Sequence, residues 1–303
     1  MRKYFLILIY VFTVGAILPA QTPEQKKATI KFVQGLQLPD GGFVPAPVDT
    51  RVDKDPIGSL RALTSALRAL RYFGGEPKDM AAAAKFVRSC YDSETGSFSD
   101  QPGGNAEVVA TAAGLMAAIE IGPQKWQELG LRPRIGIIWL ASNAKSFEDI
   151  RIAAAAMETV GIPPAKIRSE AWISDLQAKS NHDGSYGKGA EVARATGGTV
   201  VTILRLGGKV EQPENVINIL NKNQNADGAF GKDDSGASDL ETSYRVLRCY
   251  HMLKSKPANE AKLREFIAKC RNEDGGYGVQ PGKPSQVGST YFVAIILHWL
   301  DEK

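Results

Sequence analysis

Gln224–Phe230 reads QNADGAF, and its order of a polar lead, an Asp-Gly pair and an aromatic recurs along the chain. It stands as QLPDGGF at Gln37–Phe43, QAKSNHDGSY at Gln177–Tyr186 and CRNEDGGY at Cys270–Tyr277, while CYDSETGSF at Cys90–Phe98 keeps the glycine and the aromatic. Self-similarity at a regular period marks a repeat architecture. Asp-Gly suits a tight turn, because glycine accepts positive φ and aspartate can bond its own backbone. The aromatic three residues after Asp (Phe43, Tyr186, Phe230 or Tyr277) is expected to pack back over the adjoining helices.

Each turn follows a helix-like stretch, such as ENVINILNKNQ or AKLREFIAKC, and precedes a second one rich in Ala, Thr, Ser and Leu. A sixth unit runs from RIGIIWLASNAKSF into EDIRIAAAAMETVG and has lost its glycine turn. In DPIGSLRALTSALRALRYFGG, Asp55 reads as an N-cap and Pro56 as the first helical residue. Leu60, Leu63, Leu67 and Leu70 then follow one helix face, and Gly74 is a natural stop. NAEVVATAAGLMAAIEIG, AEVARATGGTVVTILRLGG and VGSTYFVAIILHWL carry small residues on more than one side, as a buried helix does. Six helix pairs with one buried helix each predict an all-α fold, an (α/α)6 toroid with an inner ring inside an outer ring. The helix openings of the inner ring would gather at one end.

The flanks and composition narrow the class further. Arg2 and Lys3, an apolar run from Tyr4 to Leu18 and then Pro19-Ala20 follow the order of a secretory signal, with cleavage after Ala20. The expected organisation is a signal peptide over 1–20 and a single toroid domain over 21–303, giving an exported protein. An uncleaved membrane anchor is the alternative, against which the run is short. No span is expected in the mature chain. The net charge of +4 is spread without a basic block, which excludes a nucleic-acid footprint. Cys90, Cys249 and Cys270 are too few and too far apart for a disulfide framework and read as buried thiols.

The Gln…Asp-Gly-x-aromatic repeats resemble the prenyltransferase β-subunit and squalene-cyclase superfamily, and the resemblance covers essentially all of the mature chain. It implies the same toroid. In protein prenyltransferases, a segment running from Gly-Gly-Phe through basic residues to Asp-x-Cys-Tyr supplies two zinc ligands, and a histidine of the last repeat supplies the third. Here Asp239 follows Phe230 by nine residues, the family's interval, and matches the zinc aspartate. The cysteine position is Glu241, the tyrosine position Thr242, and the histidine position in PGKPSQVGST is Ser289. The basic positions that would hold a diphosphate fall on Asp233 and Gly236.

These exchanges carry chemical weight. Thiolate and imidazole are donors suited to zinc, whereas carboxylate and hydroxyl oxygens suit Ca²⁺ or Mg²⁺. Unit charges about 4 Å apart interact by ~4 kcal/mol at an effective dielectric of 20, so Asp233 in place of a cation turns diphosphate binding the wrong way. The resemblance therefore implies a lost zinc site and no cofactor, with a hard cation at Asp233, Asp234, Asp239 and Glu241 as the metal the loop could hold. The acid motif of the cyclases, Asp-x-Asp-Asp, is absent, and DKDP at Asp53 lacks its third acid. Arg151 in DIRIAAAAME matches a family arginine that faces the peptide substrate, and an ion pair with Asp149 or Glu148 at the rim is the other account of it.

Acids stand at the expected inner-helix openings: Asp53, Asp55, Glu107, Asp149, Glu191, Asp239 and Glu241. Caps and dipole partners explain acids there; an acidic mouth for a cation, basic peptide or glycan is the other account. Cavity or rim candidates are Arg151, Glu107, Glu191, Tyr244, Ser289 and Tyr291. The leading expectation is a non-prenylating toroid that binds a small ligand, a peptide or a protein partner at its cavity or acidic rim. A transferase or cyclase with a rearranged site is the alternative. A carbohydrate-active (α/α)6 enzyme, which needs two carboxyls of different protonation, is the third. His182, His251 and His298 read as structural.

Overall fold

The computed structural model describes residues 21–49, 51–122 and 124–302. The expected signal segment lies outside the described residues. Thirteen helices are described: α1 (Pro23–Gly35), α2 (Leu60–Phe73), α3 (Met80–Ser89), α4 (Val108–Glu120), α5 (Gln124–Glu128), α6 (Pro133–Asn143), α7 (Phe147–Val160), α8 (Lys166–Gln177), α9 (Val192–Arg205), α10 (Pro213–Lys222), α11 (Leu240–Met252), α12 (Glu260–Lys269) and α13 (Val287–Asp301). Among the described residues, β-structure is limited to isolated bridges. No described helix is long and apolar enough to cross a membrane.

The inner ring is α2, α4, α7, α9, α11 and α13. Each packs on the next, and α13 packs back on α2. The outer partners are α1, α3, α6, α8, α10 and α12, with the short α5 inserted before the degenerate third pair. α4 explains why the ring closes so tightly: its residues 110–118 are all buried and mostly alanine, so neighbouring backbones approach closely.

The repeated turn is built as its sequence implies. Gly41, Gly184, Gly228 and Gly275 have φ of 90°, 80°, 83° and 90°. Asp40, Asp183, Asp227 and Asp274 each accept, through Oδ1, the amide N–H two residues on. The aromatics are buried, and the N–H of Tyr186, Phe230 and Tyr277 donates to Thr196, Ser243 and Thr290 on the following inner helix. These hydroxyls account for the Thr and Ser on helices otherwise apolar all round, since a buried N–H must find a partner.

Adjacent units are joined by backbone. Leu60 N–H reaches Asp100 O of the second unit, Leu240 N–H reaches Val279 O of the last, and Val287 N–H reaches Pro45 O of the first, at 2.8, 2.9 and 2.8 Å. The last bond closes the ring, reinforced by Thr29 Oγ1 donating to Gly275 O.

One boundary differs from expectation. Asp55 does not cap α2; Ser59 does, accepting from Ala62 N–H, while Asp53 and Asp55 are exposed. Ser59 N–H is already committed to Phe43 O, which holds the chain extended at this point. Helical geometry begins only after that bond. The stop at Gly74 is as read, with φ 80°. Cys90, Cys249 and Cys270 are buried free thiols, each pushed up to about 12, chiefly by burial.

Candidate functional site

The inner ring encloses a cavity of about 220 Å³ to which all six inner helices contribute. A larger cleft of about 420 Å³, lined by Asn181, Tyr186 and Asn215 among others, lies between the outer helices α8 and α10 and belongs to the rim of one repeat. Only the central cavity collects chemistry from the whole ring. Its walls are Val109, Ala113 and Met116 of α4, Ile152 and Ala155 of α7, and Tyr244, Tyr291 and Phe292 of α11 and α13. Tyr244 stacks on Phe292 at 4.9 Å and on Trp299 at 5.7 Å between ring centroids. The polar part of the lining is dominated by arginine: Arg61, Arg68, Arg151, Arg205 and Arg245.

These guanidiniums form two tiers. At the amino ends of the inner helices, Glu148 Oε1 and Oε2 accept from Arg245 at 2.7 and 3.2 Å, and Oε2 also accepts from Arg151 Nε at 2.9 Å. Glu241 Oε1 accepts from Arg245 at 2.8 Å and from Arg194 at 3.0 Å. At the carboxyl ends, Glu158 Oε2 accepts from Arg205 Nε at 2.9 Å and Arg248 Nη2 at 2.6 Å. On the other side of the ring, Glu120 lies 3.6 Å from Arg68 and 3.2 Å from Arg71. Bonds between matching ends of neighbouring inner helices show that these helices run parallel.

The electrostatics follow from this arrangement. Burial works against ionisation of Glu148, but Arg245 and Arg151 outweigh it and bring its carboxyl down to about 2. Glu241 and Glu158 are lowered in the same way, against burial, by their arginine pairs. Glu120 goes the other way: its side chain is only 4% exposed, and burial raises its carboxyl despite Arg71 and Arg68. Tyr244 is held below the ordinary phenol range. Burial would raise it, but Arg205, Arg68 and Arg248 favour the phenolate.

Of the residues singled out in the sequence, Arg151, Tyr244, Tyr291 and Glu241 line the cavity. Glu107 and Glu191 are exposed at the openings of α4 and α9, and neither makes a side-chain cap bond. Ser289 is buried on α13 away from the cavity lining. Asp233 and Asp234 are on an exposed loop, where Asp233 accepts from Ser235 N–H. Asp239 is buried and caps α11, its two oxygens accepting from Thr242 N–H at 2.7 Å and Thr242 Oγ1 at 2.8 Å. Among the described residues, no three His, Cys, Asp or Glu side chains are grouped to hold a metal ion. His251 and His298 both meet Glu302 beyond the carboxyl ends of α11 and α13. Arg61, Arg68, Arg205, Arg245 and Arg248 escaped the sequence reading; the signal available was an arginine inside an otherwise apolar, buried helix.

A closed ring of parallel helices around a lined cavity is the α/α toroid. The model of the prenyltransferase alpha-alpha toroid domain matches residues 3–135 and 150–303, so the chain belongs to that family. Protein geranylgeranyltransferase-I of Candida albicans complexed with GGPP is similar, with a TM-score of 0.68 and 12% identity over 91% of each chain. The type II terpene cyclase MstE from Scytonema in complex with merosterolic acid A has a TM-score of 0.59 and 13% identity over 91% of this chain and 96% of its own. A protein from Actinoplanes has a TM-score of 0.59 and 12% identity over 92% of this chain and 99% of its own. At such identities the likeness is one of fold. No curated protein matches the sequence.

Proposed function

We propose that this protein is an exported toroid that binds a small ligand in its central cavity and does not perform zinc-dependent prenyl transfer. One observation carries the reading: the positions matching the zinc site are consumed by structure. Asp239 spends both oxygens on the first turn of α11, and Glu241 is shared between Arg194 and Arg245. A catalytic zinc site needs three free donors and an open position. Here two guanidiniums stand against the carboxylate that replaces the thiolate, so a dication would meet repulsion as well as oxygen donors. The residues do not fit zinc, and Asp233 and Asp234 lie too exposed on their loop to supply a hard-cation site with them.

The carboxylates also argue for binding rather than hydrolysis. A glycosidase pair needs one carboxyl protonated and one ionised across the substrate. Glu148, Glu241 and Glu158 are all held ionised by arginine, and Glu120, the one raised acid, is aimed at Arg68 and Arg71. A second reading, a cyclase or transferase with a rearranged site, draws support from the stacked Tyr244, Phe292 and Trp299, since aromatic faces stabilise cations.

Metal analysis of purified protein, with incubation against farnesyl and geranylgeranyl diphosphates, separates the readings. The expected result is zinc well below one equivalent and no transferred or cyclised product. Stoichiometric zinc lost on Asp239→Ala, or product lost on Tyr244→Phe, would overturn the proposal. Mass measurement of secreted material tests export, with Gln21 expected at the mature N-terminus.

A further inference from the structure

The carboxylates around the cavity do not balance its arginines. Arg68 and Arg71 share Glu120, Arg205 and Arg248 share Glu158, and Arg151, Arg194 and Arg245 share Glu148 and Glu241. Arg71 is half exposed to solvent, and the other six guanidiniums against four carboxylates leave two positive charges without a counter-charge. Donors are under-used too: Arg248 Nε is buried without a hydrogen-bond partner, and Arg68 Nε meets Glu120 only at 3.6 Å. Tyr291 lines the cavity and is only 6% exposed, and its hydroxyl has Tyr244 as a near neighbour but makes no hydrogen bond of normal length. Buried donors and charges left this way cost free energy unless something fills the site.

We propose that the cavity binds a small organic monoanion, its carboxylate seated among Arg68, Arg205 and the Tyr291 hydroxyl and its apolar body against Met116, Ile152 and Phe292. The proposal rests on the reading of the cavity as the ligand site and names the chemistry of that ligand. Arginine is suited to the anion because its planar fork matches a carboxylate. Size sets the rest. The cavity measures about 220 Å³. That is below the ~300–1,000 Å³ of pockets for drug-sized ligands, which favours a small body. A neutral ligand would leave the surplus charge unpaired, and a cation would add to it.

The test uses the full mature chain, low-chloride buffer, and three probes of one shape: benzoate, neutral benzamide and cationic benzamidine. Calorimetry should show saturable benzoate binding, benzamide weaker by about tenfold or more, and no benzamidine binding. Tyr244 gives an internal readout, because a bound anion offsets its arginines; benzoate should move its absorbance titration to higher pH. Arg68→Met leaves Glu120 paired with Arg71, and Arg205→Met leaves Glu158 paired with Arg248, so neither orphans a carboxylate. Each should weaken benzoate about tenfold and leave benzamide unchanged.

Benzamide binding as tightly as benzoate would overturn the anion while leaving a ligand-binding cavity standing. Sulfate binding as tightly as benzoate would overturn the organic body. No benzoate binding, with the Tyr244 titration unmoved, would overturn the proposal outright. Zinc retention or prenyl transfer, by contrast, strikes the function proposed above and is read in a separate assay.

Discussion

Glu158→Gln is the sharpest perturbation of the ring. A single oxygen of Glu158 accepts from two arginines on two other helices, at 2.9 and 2.6 Å, and the side chain of Arg205 is only 6% exposed. Two unit charges about 4 Å apart are worth ~4 kcal/mol at an effective dielectric of 20, and removing one partner of a buried pair costs ~3–5 kcal/mol because the other stays charged. Glu158 is itself 34% exposed, so solvent screens part of this and the lower figure, ~3 kcal/mol, applies. For a chain of this size that lowers Tm by ~6–12 °C. Circular dichroism melts at pH 7 would read it. The same scans on Glu158→Gln/Arg248→Met should recover about half of the loss, because one of the stranded guanidiniums is gone. A Glu158→Gln protein within ~1 kcal/mol of wild type, or a double variant less stable than the single, would refute the claim that surplus positive charge lies inside the ring.

Two further outcomes are expected. Because Glu148 sits at about 2 against an ordinary 4.5, its contribution to stability is full above pH 4.5 and is lost as pH falls toward 2; urea melts across that window should show a steep acid limb that Glu148→Gln flattens. Gly228→Ala should cost ~2–3 kcal/mol, since the residue stands at φ 83° and its added Cβ would meet Leu263 N at 2.4 Å; urea unfolding midpoints measure this.

How much was legible in the sequence follows the range of each interaction. The turn is local: Asp227, Gly228 and Phe230 lie within four residues, and the Asp–amide bond and the positive φ of the glycine recur in the three matching repeats, so the toroid could be read from four short segments. The opening of α2 was misread because its cap competes with a bond from Ser59 to Phe43, sixteen residues back. The cavity was legible only in part. Tyr244, Tyr291 and Arg151 could be placed on inner helices, but the partner of Arg245 is Glu148, 97 residues away, and that of Arg248 is Glu158, 90 residues away. No spacing in the sequence couples such pairs. Of the acids at the helix openings that suggest an acidic mouth, Glu241 is the counter-ion of Arg194 and Arg245.

The parallel inner helices also explain how so many guanidiniums are tolerated. Six helix dipoles converge with their negative ends at the carboxyl end of the ring, near Arg68, Arg71, Arg205 and Arg248. That field attracts the arginines, yet it fades within the last turn, and long side chains on a helix lean back toward its amino end. The guanidiniums of Arg68 and Arg205 are thereby carried up into the cavity, away from the carbonyls that favour them. Tyr244 stands one turn above Arg248 on α11; burial disfavours its phenolate, but Arg205, Arg68 and Arg248, with the Tyr291 hydroxyl, favour it. Arg68 and Arg205 thus reach the middle of the cavity, where the proposed anion would sit.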